Sequence, residues 1–229
     1  MLHLQHLTFF VKLFLEGVFM TYIFQGITEK NKRKLLNNLY ADTLHIKTGQ
    51  GIFDMYKDEE IIGIIIKGNL KIISNTENGN EILIENLEEN DIFSTTLSFS
   101  SASVSDVIAI EDSEVIIISY DEILKYKDNS KKYYNLFIKN LFIIFSQKLK
   151  ERNERLQIIS KKTIRNKLLE YFDIMYKKNL SRNIYLPGTY ISFAAYLATD
   201  RSALSRELKN LKDEGFILIN GKRITLLYK

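Results

Sequence analysis

Residues 192–227 constrain the fold more than any other part of the chain. Their spacing of apolar residues predicts a short helix over Phe193–Leu197 and a second helix over Arg201–Glu214. A tight turn at residues 198–200 separates the two, and Ser192 is expected to cap the first helix. Two helices joined by so short a turn form either a helix-turn-helix or a helical pair that closes some other kind of domain.

The second of these helices has two faces. Apolar residues at helical spacing form one face: Ala203, Leu204, Leu208 and Leu211. Polar and basic residues form the other: Arg201, Ser202, Ser205, Arg206 and Lys209. An arginine-rich helix start that is held off the body by a preceding helix suits the major groove of DNA. Asn220-Gly221 between two apolar runs then predicts a hairpin, so the segment is predicted to be a winged helix-turn-helix.

Charge is distributed unevenly along the chain, although the net charge is only +4. Residues 42–122 hold 4 Lys/Arg and 17 Asp/Glu, a net charge of −13. Residues 123–229 hold 23 Lys/Arg and 9 Asp/Glu, a net charge of +14. Ordinary surface charge would not separate the two signs in this way. The basic half is therefore expected to lie on a polyanion and the acidic half to face away from it.

The residue types that are missing exclude several classes of site. The chain has no cysteine, which excludes disulfides, cysteine-held iron–sulfur clusters and thiol switches. The three histidines, His3, His6 and His45, are too few for a haem or zinc site, so no metal is expected. Without a secretion signal, the expected location is the cytoplasm.

Residues 1–23 form an N-terminal extension of uncertain status. Lys12 and Glu16 interrupt its apolar stretch, and their cost at a bilayer centre argues against a spanning helix, so no membrane association is expected. Two interpretations stay open. The extension is either an extra helix packed on the domain, or translation starts at Met20 and residues 1–19 are upstream sequence.

Short β-branched runs occupy the middle of the chain, from about Leu44 to Ser119. The runs are Ile61–Ile66, Leu70–Ile73, Glu81–Ile84 and Val115–Ile118, and turns containing glycine or asparagine separate them. Regular short strands of this kind predict an antiparallel barrel or jelly roll, whose interior can host a small ligand. The predicted fold class is α+β, with a β-roll over residues 24–130 and a winged helix-turn-helix over residues 161–229.

Helices are predicted over Ile27–Tyr40, with Thr28 as N-cap, over residues 131–160 and over Lys162–Tyr176. The second has no proline or glycine and carries apolar residues at roughly heptad spacing. Its length of about 45 Å exceeds what one small domain covers, so it is predicted to pair with a second copy as a dimerisation helix. The alternative is a helix that lies along its own roll. The expected interface residues are Ile138, Leu141, Phe142, Phe145, Leu149 and Leu156.

The order of helix, roll, long helix and winged helix-turn-helix, together with several motifs, resembles the cyclic-AMP receptor protein/Fnr (Crp/Fnr) family of bacterial transcription regulators. The segments that carry the resemblance are 24–27, 47–53, 66–70, 78–82, 91–93, 107–115 and 199–208. The last of these, Thr199-Asp200-Arg201-Ser202-Ala203-Leu204-Ser205-Arg206-Glu207-Leu208, is similar to the recognition helix of the family. The resemblance implies a cyclic-nucleotide-binding-like roll and sequence-specific binding to DNA.

The resemblance also implies roles for individual residues. The arginines that read bases in the family fall on Arg201 and Arg206, and a third base-contacting position falls on Ser202. Family members commonly carry glutamate at that third position, and the shorter serine is less selective. Residues expected to contact DNA phosphates are Ser192, Ser205, Lys209, Lys222 and Arg223.

The expected effector pocket departs from the pattern of cyclic-nucleotide binders. Ser94-Thr95 stands where those proteins place Gly-Glu, and Ser103-Val104 stands where they place Arg-Ser/Thr. No arginine lies between residues 42 and 122, so a cyclic phosphate would lack a cationic partner. Cyclic AMP and an iron–sulfur cluster are therefore not expected as cofactors. The candidate pocket residues are Phe93, Ser94, Thr95, Ser103 and Val104, and Tyr56 and Phe99 are further members if the ligand is neutral; otherwise these side chains simply fill the roll.

Two classes of function follow from these patterns. The first is a dimeric, sequence-specific transcription regulator on a palindromic DNA site, with RNA polymerase as a further candidate partner. The second is an enzyme on a cupin-like roll, which needs clustered histidine and glutamate ligands. A single histidine in the roll, and the absence of a nucleophile or phosphate-loop motif, favour the regulator, so no enzymatic activity is expected.

Overall fold

The computed structural model describes residues 22–56, 59–75, 81–95, 104–126 and 130–228. The described residues form two compact units, Tyr22–Phe142 and a second unit that starts at Ile143. The interpretations of residues 1–19 lie outside the described part of the chain. The structure confirms the predicted α+β fold class, with a β-roll and a winged helix-turn-helix.

Two antiparallel sheets form the roll in the first unit. One contains, in spatial order, β1 (Asp42–Ile46), β7 (Ser113–Ser119), β2 (Ile61–Lys67) and β5 (Ile92–Ser94). The other contains β4 (Glu81–Leu87), β3 (Leu70–Asn75) and β6 (Val104–Ala109). The chain therefore passes between the two sheets four times, from β2 to β3, from β4 to β5, from β5 to β6 and from β6 to β7, which agrees with the jelly-roll interpretation.

The roll encloses a core built from the β-branched runs. Ile65 on β2 and Val115 on β7 are fully buried and paired in register, and they pack in one cluster with Ile72 of the second sheet. The turn from β2 to β3 requires a glycine. Gly68 has φ +95°, and a Cβ there would lie 2.2 Å from the Ser113 hydroxyl oxygen.

Three helices accompany the roll: α1 (Glu29–Asn38), α2 (Tyr120–Lys125) and the start of α3 (Lys132–Ile159). Thr28 caps α1 by accepting a hydrogen bond from the Asn31 backbone N–H, which confirms the predicted N-cap. The helix predicted over 131–160 is α3, with 28 residues. Its buried Asn140 side chain donates to the carbonyl oxygens of Ile23 and Gln25, so this buried amide is satisfied by backbone.

The second unit combines the part of α3 from Ile143 onward, three further helices and a small sheet. The elements are α4 (Ile164–Asn179), β8 (Asn183–Tyr185), α5 (Tyr190–Tyr196), α6 (Arg201–Asp213), β9 (Ile217–Asn220) and β10 (Arg223–Leu226), and the strand order is β8-β10-β9. Thr163 caps α4 by accepting a hydrogen bond from the Asn166 backbone N–H at 3.1 Å. The predicted hairpin is present, with Ile224 opposite Ile219 and Gly221 in the turn at φ +59°.

The apolar faces of these elements share one core. Leu204, Leu208 and Leu211 of α6 are at most 2% exposed and pack in one cluster with Phe172 of α4 and Phe193 of α5. Because one face of α6 is committed to this core, its opposite face has to point away from it.

Candidate nucleic-acid interface

An aspartate caps the start of α6. The Asp200 carboxylate accepts hydrogen bonds from the backbone N–H groups of Ser202 and Ala203 at 2.8 and 3.0 Å. The Ser202 hydroxyl donates to the same oxygen at 2.5 Å. Hydrogen bonds from the Ser202 hydroxyl and the Ala203 N–H hold the pKa of Asp200 below its ordinary value. The cap fixes the first turn of the helix, which carries Arg201.

The exposed face of α6 is polar and cationic, as predicted. Its exposed side chains are Arg201, Ser202, Ser205, Arg206 and Lys209. Within the described part of the chain, no carboxylate forms a salt bridge with Arg201 or Arg206. Their guanidinium groups are therefore available to an anionic or hydrogen-bonding ligand.

The first helix of the pair begins earlier than predicted. α5 starts at Tyr190, with Thr189 as its N-cap, and Ser192 lies inside the first turn. The prediction that Ser192 caps the helix was wrong, because Thr189 and Ser192 together form a capping box, with Thr189 accepting from the Ser192 N–H at 3.2 Å. The Ser192 hydroxyl is occupied in this box, since it accepts from the Thr189 N–H at 2.8 Å.

A lysine from α4 holds the turn between α5 and α6. Ala198 adopts the left-handed conformation, with φ 47°, which is costly for a residue other than glycine. Lys167 Nζ donates to the carbonyl oxygens of Leu197 and Ala198, both at 3.0 Å. A cation at the C-terminal end of a helix also interacts favourably with the helix dipole. Lys167 therefore stabilises the turn that orients α6.

Arg155 of α3 contacts the same end of α5. Its Nε donates to the Tyr196 carbonyl oxygen at 3.1 Å, and its guanidinium lies 5.5 Å from the centre of the Tyr196 ring. Neither Arg155 nor Lys167 was among the predicted site residues, because each acts on backbone at least 30 positions away and leaves no local spacing signal.

The wing places two further cations at the surface. Lys222 and Arg223 follow the Asn220-Gly221 turn, and both are exposed. The Lys222 carbonyl accepts from the Leu186 N–H at 2.9 Å, and Arg223 pairs with Tyr185 of β8 in the sheet register. The backbone of Lys222 and Arg223 is thus fixed by β8 and the residue after it, while the side chains of both residues stay in solvent.

A groove of about 270 Å³ runs between α5, α6 and the wing. Its lining consists of Tyr190, Ser205, Leu208, Lys209, Lys212 and Ile219. Two of the residues predicted to contact phosphates, Ser205 and Lys209, therefore share one concave surface. Tyr190 and Lys212 complete it and were not predicted. Lys212 could have been found from its position three residues after Lys209, which is on the same side of the helix.

Comparison with known proteins agrees with both parts of the fold. A family model described as a cyclic nucleotide-binding domain matches residues 43–130. The structure of a CprK variant complexed with OCPA is similar with a TM-score of 0.60 at 14% identity, covering 84% of this chain and 88% of that chain. CooA from Carboxydothermus hydrogenoformans is similar with a TM-score of 0.56 at 16% identity, covering 87% of this chain and 92% of CooA.

The chain has the fold of the Crp/Fnr regulators. A third structure with this fold is the c-di-GMP responsive global regulator CLP of Xanthomonas campestris, with a TM-score of 0.52 at 13% identity over 86% of this chain and 99% of CLP. No curated protein sequence is similar enough to match the chain. The helix that the sequence predicted as the recognition helix is α6.

The described members of the predicted effector pocket are packed in the Crp/Fnr roll. Phe93 is 2% exposed, and a Cβ on Gly63 would lie 2.0 Å from its ring, so the ring fills that space. The buried Ser94 hydroxyl lies 3.1 Å from the Tyr120 hydroxyl, and Thr95 Oγ1 accepts from the Ile61 N–H at 2.9 Å.

Three other predicted pocket positions lie wholly or partly outside the described residues: Phe99, Ser103 and the side chain of Val104. Whether these residues bind an effector therefore stays a prediction.

A separate cavity of about 530 Å³ lies in the first unit and is strongly acidic. Its lining consists of Tyr40, Asp42, Tyr56, Glu59, Glu60, Ile117, Ser119, Asp121, Glu122 and Lys125. Burial, and then the charges of Asp42 and Glu59, raise the pKa of the Tyr56 hydroxyl. Tyr56 thus borders this cavity and also packs against the cluster that contains Phe93. Five carboxylates against one lysine make the cavity unfavourable for a phosphate.

Helix α3 presents part of the predicted dimer stripe to solvent. Phe142, Leu149 and Leu156 are 73%, 61% and 58% exposed, whereas Ile138 and Phe145 are half-buried. The predicted interface residue Leu141 is buried within the protomer, and its place in the interface stays a prediction. Leu141 is 7% exposed because it follows Tyr134 and Phe137 on the face of α3 that is buried in the first unit.

Two further observations concern sites and membranes. Among the residues that the structure describes, no group of three or more histidine or acidic side chains is placed to hold a metal ion. No helix in the same part of the chain is both long and apolar enough to cross a membrane.

Proposed function

We propose that the protein is a DNA-binding transcription regulator of the Crp/Fnr type that reads its operator with α6. The observation that carries the proposal is the exposed cationic face of this capped helix, with Arg201 and Arg206 outside any described salt bridge. The Crp/Fnr fold and the charge of +14 over residues 123–229 support it, because a basic unit of this kind is attracted to the phosphate backbone.

Arg201 and Arg206 are proposed to contact base edges in the major groove. An arginine can bind O6 and N7 of guanine with two hydrogen bonds, which is the commonest specific contact between a side chain and a base. Ser202 is the third base-contacting position. Its hydroxyl proton is donated to Asp200, so Ser202 keeps only acceptor capacity toward a base.

Phosphate contacts are proposed for the cations and hydroxyls around α6. The groove supplies Ser205, Lys209, Lys212 and Tyr190, and the wing supplies Lys222 and Arg223. Phosphate contacts fix register and carry little sequence information. Ser192 is left out of this proposed set because its hydroxyl is bonded within the capping box.

The regulator is proposed to act as a homodimer through α3. Phe142, Leu149 and Leu156 are spaced by seven residues on one helix, which is the repeat of a coiled-coil seam, and all three are exposed in the protomer. A two-fold dimer binds two half-sites about one helical turn apart, so the operator is proposed to be an inverted repeat. RNA polymerase is a further proposed partner.

Cyclic AMP is not the proposed effector. No arginine lies between residues 42 and 122, and Phe93 fills the space above Gly63. A cyclic phosphate would therefore have no guanidinium partner in the first unit, where the net charge over residues 42–122 is −13.

Two alanine substitutions test the assignment of α6. Arg206→Ala is expected to weaken operator binding by about 1–3 kcal/mol and to relax the preference at one base pair. Lys222→Ala is expected to weaken binding to every duplex alike and to lower the slope of log affinity against log salt by about one. Fluorescence titrations with an operator and its single-base variants measure both effects. An unchanged base preference in Arg206→Ala would show that α6 is not the reading helix.

A further inference from the structure

A single arginine on α4 holds two carboxylates, Glu207 within α6 and Glu214 at the C-cap of that helix. Arg165 Nε donates to Glu207 Oε1 at 2.6 Å, and its two Nη atoms donate to the two carboxylate oxygens of Glu214 at 2.9 and 2.5 Å. The Glu207 side chain is only 20% exposed. The forked contact to Glu214 uses both terminal nitrogens at once, which is the geometry in which arginine binds a carboxylate most specifically.

Both carboxylates lie on the same flank of α6. Glu207 and Glu214 are seven residues apart, which is about two turns at 3.6 residues per turn. At about 100° per residue, this flank lies between the buried stripe that ends at Leu211 and the exposed Arg206. The groove lined by Lys209 and Lys212 lies on the opposite flank.

Two anchor points on one flank restrict how α6 can move. The buried leucine stripe already fixes which side of α6 faces the core, and two polar contacts two turns apart further oppose small rotations and sliding of the helix. Arg206 directly precedes Glu207 in sequence, so a rotation that displaces Glu207 also displaces Arg206. Two-point recognition of a base by arginine tolerates little displacement, because both hydrogen bonds depend on the plane of the guanidinium.

We infer that Arg165 is a positioning residue for sequence recognition, which sets the rotation of α6 through Glu207 and Glu214 without contacting DNA. The inference rests on the proposed function of α6. The inference assigns a role in sequence specificity to Arg165 on α4, whereas the residues proposed to contact the bases are on α6.

Four variants test this inference against an operator and a random duplex of equal length. Arg165→Gln removes the charge and the fork. Arg165→Lys keeps the charge but replaces the planar fork with a single ammonium group. The double variant Glu207→Gln with Glu214→Gln removes the negative charges of both partners and keeps the arginine, and the triple variant adds Arg165→Gln to it. Lys177→Gln is the matched control, because it removes one cation of α4 whose salt bridge, to Asp173, does not involve α6.

The measured quantity is the ratio of the affinity for the operator to the affinity for the random duplex, at several salt concentrations. We expect this ratio to fall about tenfold or more in Arg165→Gln and in the double glutamine variant, with no further fall in the triple variant, because all three lose the same contact. The ratio is expected to fall nearly as far in Arg165→Lys, although the charge at position 165 is unchanged. Lys177→Gln is expected to keep the wild-type ratio.

Two results would overturn the inference while leaving the proposed function intact. If Arg165→Gln weakens binding to both duplexes equally and lowers the salt slope by about one, Arg165 contacts a phosphate directly. If its melting temperature falls while the ratio stays at the wild-type value, Arg165 only stabilises the unit. A wild-type protein without any operator preference would overturn the proposed function together with the inference, and this failure is visible before any variant is compared.

Discussion

Asp200 shows how a single side chain can fix the start of the proposed recognition helix. Its carboxylate accepts from two backbone N–H groups and from the Ser202 hydroxyl. Sequence alone indicated a turn at this position, but not that the serine expected to face the bases would also donate to the cap. The two roles are linked because the hydroxyl proton can serve only one acceptor at a time.

The cap leads to a prediction about pH. The pKa of Asp200 in the folded protein lies below its ordinary value of 3.8, so its contribution to stability is present above that value and is lost as the pH falls through the lower, folded pKa. Asn at this position still caps a helix but does not titrate. We expect wild type to melt at a higher temperature than Asp200→Asn at pH 7, and this difference to shrink as the pH falls below about 4.

Thermal melts of the two proteins across the acid range check this expectation. Asp213→Asn is the control, because it makes the same change in charge at the last residue of α6, which does not cap the start of the helix. A melting difference between wild type and Asp200→Asn that stays constant down to pH 2 would contradict the role of the ionised carboxylate.

Residues that act on distant backbone could not be found from the sequence. Lys167 donates to carbonyl oxygens of residues 197 and 198, and Arg165 reaches carboxylates on α6. Such contacts are set by how α4 packs on the helix pair, and no local spacing encodes them. Arg201 and Arg206, in contrast, could be assigned to the exposed face of α6, because the apolar stripe of that helix alone determines which side is buried.

At the scale of elements, periodicity predicted most of the helices and strands correctly. α6, α3 and the hairpin of β9 and β10 lie within a few residues of their predicted bounds. α5 was placed three residues late because its start depends on a capping box, and both Thr189 and Ser192 are good caps by residue type. The heptad pattern likewise could not separate Leu141 from Phe142, since which face of α3 is buried depends on the roll beside it.

The exposed stripe of α3 gives a prediction at this scale. Leu149→Glu combined with Leu156→Glu is expected to raise the dissociation constant of the dimer by at least about tenfold, because each leucine buried in an interface contributes about 1.5–3 kcal/mol. The melting temperature of the isolated protomer should change little, since both side chains are largely exposed in it. Sedimentation over a range of concentrations measures the dissociation constant.

Lys150→Gln is the control for this experiment. It makes the same change in net charge per site as a leucine-to-glutamate substitution, on an exposed position of α3 outside the stripe. If the double glutamate variant dimerised as tightly as wild type, the interface would lie elsewhere on the molecule.

At the scale of the whole molecule, the two halves of the chain differ in charge. The acidic half contains the roll and its carboxylate-lined cavity, and the basic half contains the winged unit. Such a distribution favours binding of DNA by one unit only, because a polyanion is repelled from the other. The charge separation was evident from composition, whereas the packing of Phe93 above Gly63 required coordinates, since the two residues lie on different strands.

Selection from random duplex DNA at physiological salt tests the central claim most directly. The proposed function predicts enrichment of an inverted repeat whose half-sites are about one helical turn apart, with guanines at the positions read by Arg201 and Arg206. Arg206→Ala should lose one conserved base pair from each half-site. Recovery of no enriched sequence, or of a single site without symmetry, would contradict the account.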